Sequence, residues 1–178
     1  VDENSKPPIP ALSWDVWFLL LTKLLSRKSK DRSTPSGAVI VGTAHTILAT
    51  GYNGFPQGTD DNVESRHVRP KKYMWMEHAE RNAINFAARN GTKIDGATVY
   101  VNWMPCASCA RSIINSGIRE VVFDEAMAGY GKDRWGEEHA NATEMLAEAG
   151  VLVRTYAVPY QLDIVANVPK RAFPPDVL

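Results

Sequence analysis

The chain has two cysteines, three positions apart in Pro105-Cys106-Ala107-Ser108-Cys109, and a His78-Ala79-Glu80 triplet upstream in MEHAERNAI. Taken together, one imidazole and two thiolates make three ligands of a tetrahedral zinc and leave a fourth position open. A structural zinc closes its shell with four protein ligands, so the three-ligand set is that of a catalytic metal whose free position takes water. Glu80, two residues from His78, is placed to take a proton from that water and pass it on, and is poorly placed to bind the same ion. Any fold for this chain must therefore bring two distant segments together at one metal.

Local geometry sets a further condition. Cys106 and Cys109 open a predicted helix, Cys106 to Ser116, so their sulfurs share one face. The unpaired N–H groups and positive dipole end of that helix favour thiolates. Pro105 fits as the residue entering the helix, where a missing N–H costs nothing. The HAE triplet must also lie at a helix start, because in mid-helix positions i and i+2 face apart; the metal reading requires a helix beginning close to Glu77. Taken alone, C-x-x-C also fits a redox pair or half of a structural zinc knuckle. A knuckle needs two more closely spaced partners, and the remaining histidines, His45, His67 and His139, are scattered.

At 178 residues and 44% hydrophobic, the chain suits one compact domain with a substantial core. We expect an irregular arm over residues 1–11, where Lys6-Pro7-Pro8-Ile9-Pro10 falls, and a single domain over 12–178. Lys+Arg and Asp+Glu both number 20, and no dense basic run tracks a phosphate backbone, which argues against polymeric nucleic acid as a partner. The most basic stretch, Lys23 to Arg32, reads as a solvated helix end. Val16 to Leu25 is apolar for only about ten residues and is broken by Thr22 and Lys23, too short to span a membrane. Its acidic, proline-rich flank is unlike a secretory signal, so a cytoplasmic protein with reduced thiols is expected.

Patterning places the elements. Ser13 caps a helix with Trp14, Trp17, Phe18, Leu21 and Leu25 at helical spacing. Gly37–Val41 and Thr46–Ala49 read as a hairpin turning near residues 42–45. GYNGFPQGTDD is a loop, a polar excursion runs from Asn62 to Lys72, and a helix runs from about Trp75 to Asn90, stopped by Asn90-Gly91. Thr98–Asn102 is a strand, Cys106–Ser116 a helix, Ile118–Phe123 a strand, Glu137–Ala149 a helix after a Gly-rich loop, and Val151–Tyr156 a fifth strand. Strands alternating with helices imply an α/β fold, a three-layer α/β/α sandwich.

The H-x-E and P-C-x-x-C pairing is the general signature of zinc-dependent nucleobase deaminases. Beyond it, SWDVWFLLL, SKDRSTPSGAVIV, GYNGFPQG, HAERNAI, ATVYVNWMPCASCARSIINSGIREVVF and EMLAEAGV resemble, in order, blocks of the deoxycytidylate (dCMP) deaminase family of the cytidine deaminase-like superfamily. The similarity runs from about Leu12 to Tyr156. The zinc motifs specify only the superfamily; GYNGFP after a GAVIV strand points to the dCMP branch.

The resemblance implies a mixed five-stranded sheet and hydrolytic deamination of dCMP to dUMP, with one catalytic Zn2+ per chain on His78, Cys106 and Cys109 and Glu80 as proton shuttle. It implies further that the Ala79 N–H holds the ring O2, that the Pro105 carbonyl accepts from the amino group, and that Asn53 binds the deoxyribose hydroxyl. The substrate is then a small-molecule nucleotide, and Lys30, Arg32, Lys132 and Arg134 are loop cations for its phosphate, Arg134 beside Trp135 foremost. The AGYGKDRWGEE loop departs from better-known family members. Some relatives carry a second-zinc cysteine where Thr59 lies here, and an arginine is common where Gln57 stands. Several relatives are hexamers regulated by dCTP and dTTP, which implies a homo-oligomer, nucleotide effectors and Mg2+ entering with them. Deamination of another cytosine nucleotide or nucleoside, or of a nucleobase, shares the same metal core, as does a silent zinc fold that senses nucleotides.

Overall fold

The computed structural model describes residues 11–129 and 132–158, with the side chains of 132–134 outside that description. The expected arm over residues 1–11 thus lies outside the described residues except for its last position. A five-stranded sheet in the order β2-β1-β3-β4-β5 forms the middle layer. Its strands are β1 (Gly37–Val41), β2 (Ile47–Tyr52), β3 (Thr98–Val101), β4 (Glu120–Asp124) and β5 (Leu152–Tyr156). β1 pairs antiparallel with β2 and β3, while β3–β4 and β4–β5 are parallel, so the sheet is mixed.

Period-two alternation divides the sheet's side chains between two cores. Val39, Val41, Tyr100 and Val122 face α1 (Trp14–Ser26). Ala38, Ile40, Val99, Val101, Val121 and Phe123 face α3 (Ala79–Arg89), α4 (Ala107–Asn115) and α5 (Lys132–Glu148). The three-layer α/β/α expectation holds, and the strands stand close to where the patterning puts them, except that β2 runs on to Tyr52 and takes Gly51 and Tyr52 from the expected loop, because both pair with the start of β1.

Three helices differ from expectation: α5 begins at Lys132 instead of Glu137, and the other two depart further. In α1, Ser13 caps through its side chain as expected, yet the buried face is Val16, Phe18, Leu19, Leu20 and Thr22, while Trp14 and Trp17 are 52% and 45% exposed. Trp14 is displaced because its indole covers the hairpin turn, stacked on the His45 ring with centroids 4.5 Å apart. The long helix expected over Trp75–Asn90 is two: a single turn, α2 (Lys72–Trp75), and α3. Between them the Glu77 backbone leaves helical geometry to pair with Gly54, with N···O distances of 2.8 and 3.0 Å in the two directions.

β2 and α3 pack closely because both contribute small residues. A Cβ on Gly51 would lie far inside contact distance of the Ala79 carbonyl and the Ala83 amide, backbone atoms that cannot swing away. Gly51→Ala is therefore expected to lower stability by about 3 kcal/mol through forced overpacking, read as a lower urea midpoint at unchanged slope. A variant as stable as the parent would show that α3 lifts freely off the sheet.

Candidate active site

The ends of β2 and β3 and the start of β1 meet at one edge of the sheet, and the first residues of α3 and α4 point their helix starts at the same place. His78 is the N-cap of α3 and Cys106 the N-cap of α4, both in extended backbone conformation and neither using its side chain to cap its helix. Those side chains turn instead toward each other. His78 Nδ1 lies 3.5 Å from Cys106 Sγ and 3.4 Å from Cys109 Sγ.

The break before Ala79 is what makes this geometry accessible. With His78 outside the helix and Glu80 in its first turn, both reach the space beyond the helix end, as the metal reading requires. A tetrahedral ion with Zn–S near 2.3 Å and Zn–N of 2.0–2.1 Å holds its N and S ligands about 3.6 Å apart, close to the separations found. The donor set of one nitrogen and two sulfurs suits zinc, and among the described residues it is the one cluster of three potential ligands so close together.

Electrostatics fit the same chemistry. The Cys106 thiol is held down at about 3 by its hydrogen bond to Cys109 and by His78, which outweigh its burial. Cys109 is pushed well above the usual thiol range by the adjacent Cys106 sulfur and by complete burial. His78 is raised, first by its hydrogen bond to Cys106 and also by Glu80. Burial pushes the Glu80 carboxyl up, reinforced by Cys106 and opposed by His78; the residue is 5% exposed. A carboxyl so raised is suited to hold and return a proton.

His78, Glu80 and Cys106 line one pocket with Asn53, Trp103, Met104, Trp135 and His139, and Cys109 is buried behind them. Ala79 and Pro105 are buried, each adjacent in sequence to a candidate metal ligand. Of the expected phosphate cations, Lys30 is ion-paired to Asp61 at 2.6 Å and Arg32 to Glu64 at 2.7 Å, away from the pocket lining. Lys132 and Arg134 begin α5 rather than lying in a loop, because the helix starts at Lys132 instead of Glu137. The Arg134 side chain lies outside the described residues. Its neighbour Trp135 does reach the pocket, its ring edge-on to Tyr73 with centroids 5.5 Å apart.

Sequence reasoning missed three groups at this site. Arg81 is ion-paired to Glu77, and although burial opposes its charge, the two cysteine sulfurs and Glu77 strengthen it, so a cation stands beside the thiolates. Asp31 and Lys72 form a buried pair in the pocket wall. Asp31 followed by Ser33 and Thr34 is a local turn signal that could have marked Asp31; Lys72, the second of two lysines at the end of a polar run, carried no signal.

Residues 12–125 match the family model described as the cytidine and deoxycytidylate deaminase zinc-binding region. The chain belongs to this family. The deaminase is 35% identical over 154 residues to the deoxycytidylate deaminase of Mus musculus, covering 84% of this chain and 83% of the mouse protein. It is 38% identical over 141 residues to an uncharacterized deaminase of Aliivibrio fischeri, covering 79% of this chain and 91% of that one. The fold of this deaminase resembles that of a cyanophage S-TIM5 dCMP deaminase solved with dCMP and dUMP, with a TM-score of 0.61 at 24% identity over 79% of this chain and 94% of the other. Among the described residues no helix is long and apolar enough to cross a membrane.

Proposed function

We propose that this deaminase converts dCMP to dUMP by hydrolysis, within one domain that begins at residue 12. The observation that carries the reading is the gathering of His78, Cys106, Glu80 and Asn53 on one pocket, with the Cys109 sulfur 3.4 Å from His78 Nδ1; a deoxycytidylate deaminase relative at 35% identity supports the substrate. His78, Cys106 and Cys109 would hold a zinc ion, which when bound would supply water activated at neutral pH. Glu80 takes a proton from the attacking water and gives it to N3 as the new bond forms at C4. Glu80 then takes the proton of the hydroxyl now on C4, which becomes the carbonyl of the product, and delivers it to the amine, which leaves as ammonia as the C4–N4 bond breaks. The Ala79 N–H, in the first turn of α3 and without an intrahelical acceptor, donates to the ring O2. The Pro105 carbonyl accepts from the exocyclic amine.

Asn53 takes the sugar. In dCMP the 2′ position is bare and the 5′ oxygen carries phosphate, so the free hydroxyl to be bound is the 3′. Arg134, one residue before pocket-lining Trp135, is the phosphate group's partner in this reading. Family resemblance supports the remainder: one zinc per chain, a homo-oligomer of six chains, dCTP and dTTP acting near Gln57 with Mg2+, and a cytoplasmic setting. Gln57 accepts a hydrogen bond from Arg89 at 2.5 Å.

The test is ammonia release from dCMP, dCTP, deoxycytidine, cytosine, adenine and guanine. Turnover of dCMP with kcat/KM at least about 100-fold above deoxycytidine is expected, since a pocket that binds a phosphate leaves its polar groups unpaired without one. Turnover of a free base with none of dCMP would overturn the substrate assignment.

A further inference from the structure

The pocket wall contains an ion pair with no part in metal binding or proton transfer. Lys72 Nζ meets the Asp31 carboxylate at 2.6 Å, with side chains 7% and 2% exposed. Lys72 also donates to Ser33 Oγ at 2.6 Å and Thr34 Oγ1 at 3.2 Å. An ammonium has three donors, so Lys72 has none left for a substrate. The Asp31 carboxylate accepts from the Ser33 and Thr34 amides at 2.9 and 3.1 Å, from the Ser33 hydroxyl at 3.1 Å, and from the Thr34 hydroxyl and Asn53 Nδ2 at 3.0 Å each. The pair is a closed unit, and its one link to the machinery of the site is Asn53.

The hydrogen bonds of Asn53 define which way its amide faces. Nδ2 spends one proton on Asp31 Oδ2 and the other on the Thr34 carbonyl at 2.9 Å. Oδ1 accepts from the Ser36 amide at 2.7 Å. An amide oxygen has two lone pairs, so one acceptor position is what Asn53 retains. Turning the amide over would set its NH2 against the Ser36 N–H and its oxygen against the Asp31 carboxylate, a double mismatch in a buried setting. We propose that Asp31 and Lys72 are positioning residues that lock Asn53 with its oxygen free to accept a hydrogen bond from the substrate's sugar hydroxyl.

Each member of the pair has a distinct task. Asp31 must be an acceptor to hold Nδ2, and it must therefore stay ionised. Burial would push its carboxyl up, but hydrogen bonds from Lys72, Ser33 and Thr34 bring it down to about 2. Without Lys72 the buried carboxylate loses its counter-charge and is driven toward protonation, opposed by the Ser33 and Thr34 amides. A protonated Asp31 can donate, and the mismatch that forbids the turned amide disappears.

This inference rests on the dCMP reading and on Asn53 as the sugar ligand, and substrate pairs separate the two. The kcat/KM of wild type, K72M, K72R and the uncharged double variant D31N/K72M is measured on dCMP and on 2′,3′-dideoxycytidine monophosphate, with zinc content and melting temperature recorded for each. Wild type is expected to prefer dCMP by at least about 100-fold. K72M and D31N/K72M should lose dCMP activity by about 30-fold with less than a threefold change on the dideoxy analogue. That pattern collapses hydroxyl discrimination, and K72R should restore it. If K72M is too unstable to assay, the double variant, which buries no unpaired charge, decides the matter. Equal losses on both substrates would make the pair merely structural and overturn the positioning role. Wild-type turnover of dCMP without discrimination would overturn it through Asn53. Wild type inert toward dCMP would overturn the substrate reading, and the assignment of the pair with it.

Discussion

Glu80→Gln is expected to reduce turnover of dCMP by about 10³-fold or more, within the range that a positioned general acid–base group contributes, while zinc stays at one equivalent per chain. Gln matches Glu in volume, so a side chain that is 5% exposed in the first turn of α3 is exchanged without opening a cavity. What is lost is the ability to carry a proton. In the proposed reaction Glu80 serves two transfers in each cycle, first to N3 and then to the departing amine, so no single step can be spared. The His78, Cys106 and Cys109 donors do not depend on that carboxyl for their geometry, since the Nδ1···Sγ separations of 3.4 and 3.5 Å are set by the two N-caps and the first turn of α4. Ammonia release and atomic absorption on the same preparation check both halves. Undiminished turnover would mean that another group moves the proton, and a silent zinc scaffold would show no activity to lose.

Those residues are legible in the sequence because the chemistry that needs them also dictates their spacing. Pro-Cys-x-x-Cys specifies a helix start, and His-x-Glu makes sense for one metal only at another. The sheet is equally legible, because Gly37–Val41 and Thr98–Val101 are runs of β-branched and small residues between turn signals. Tertiary effects account for the features that local patterning does not convey. Trp14 and Trp17 fit a helical stripe as well as Val16 and Leu20 do; only the position of the 42–45 turn, where His45 offers its ring to Trp14, decides which stripe faces inward. The interruption at Met76–His78 depends on Glu77 finding Gly54 across the chain, and no local propensity records such a pairing. Lys72 and Asp31 are charged residues in polar stretches, where the ordinary expectation is solvation. Their burial follows from a reciprocal fit between the 29–34 segment and α2 that neither sequence stretch announces.

Removing zinc should have the second largest effect, and it should appear in stability as much as in activity. The metal would join three residues from two helix starts, and Cys109, at 0% exposure, is fully buried. An ion that binds the folded chain and not the unfolded one adds about 4 kcal/mol when its free concentration is 1,000 times Kd. For a chain of this size each kcal/mol shifts the melting temperature by about 2–4 °C. A strong chelator should therefore lower the melting temperature by about 8–16 °C and abolish ammonia release, and both should return when zinc is restored. Cys109→Ala should behave like the chelated protein and be insensitive to chelator, because two remaining ligands cannot hold the ion against competition. Glu80→Gln should respond to chelator as fully as wild type, for its ligand set is intact. That contrast separates loss of the metal from loss of the proton carrier. A Cys109→Ala protein that retained stoichiometric zinc and a chelator-sensitive melting temperature would place the ion elsewhere and undo the three-ligand assignment.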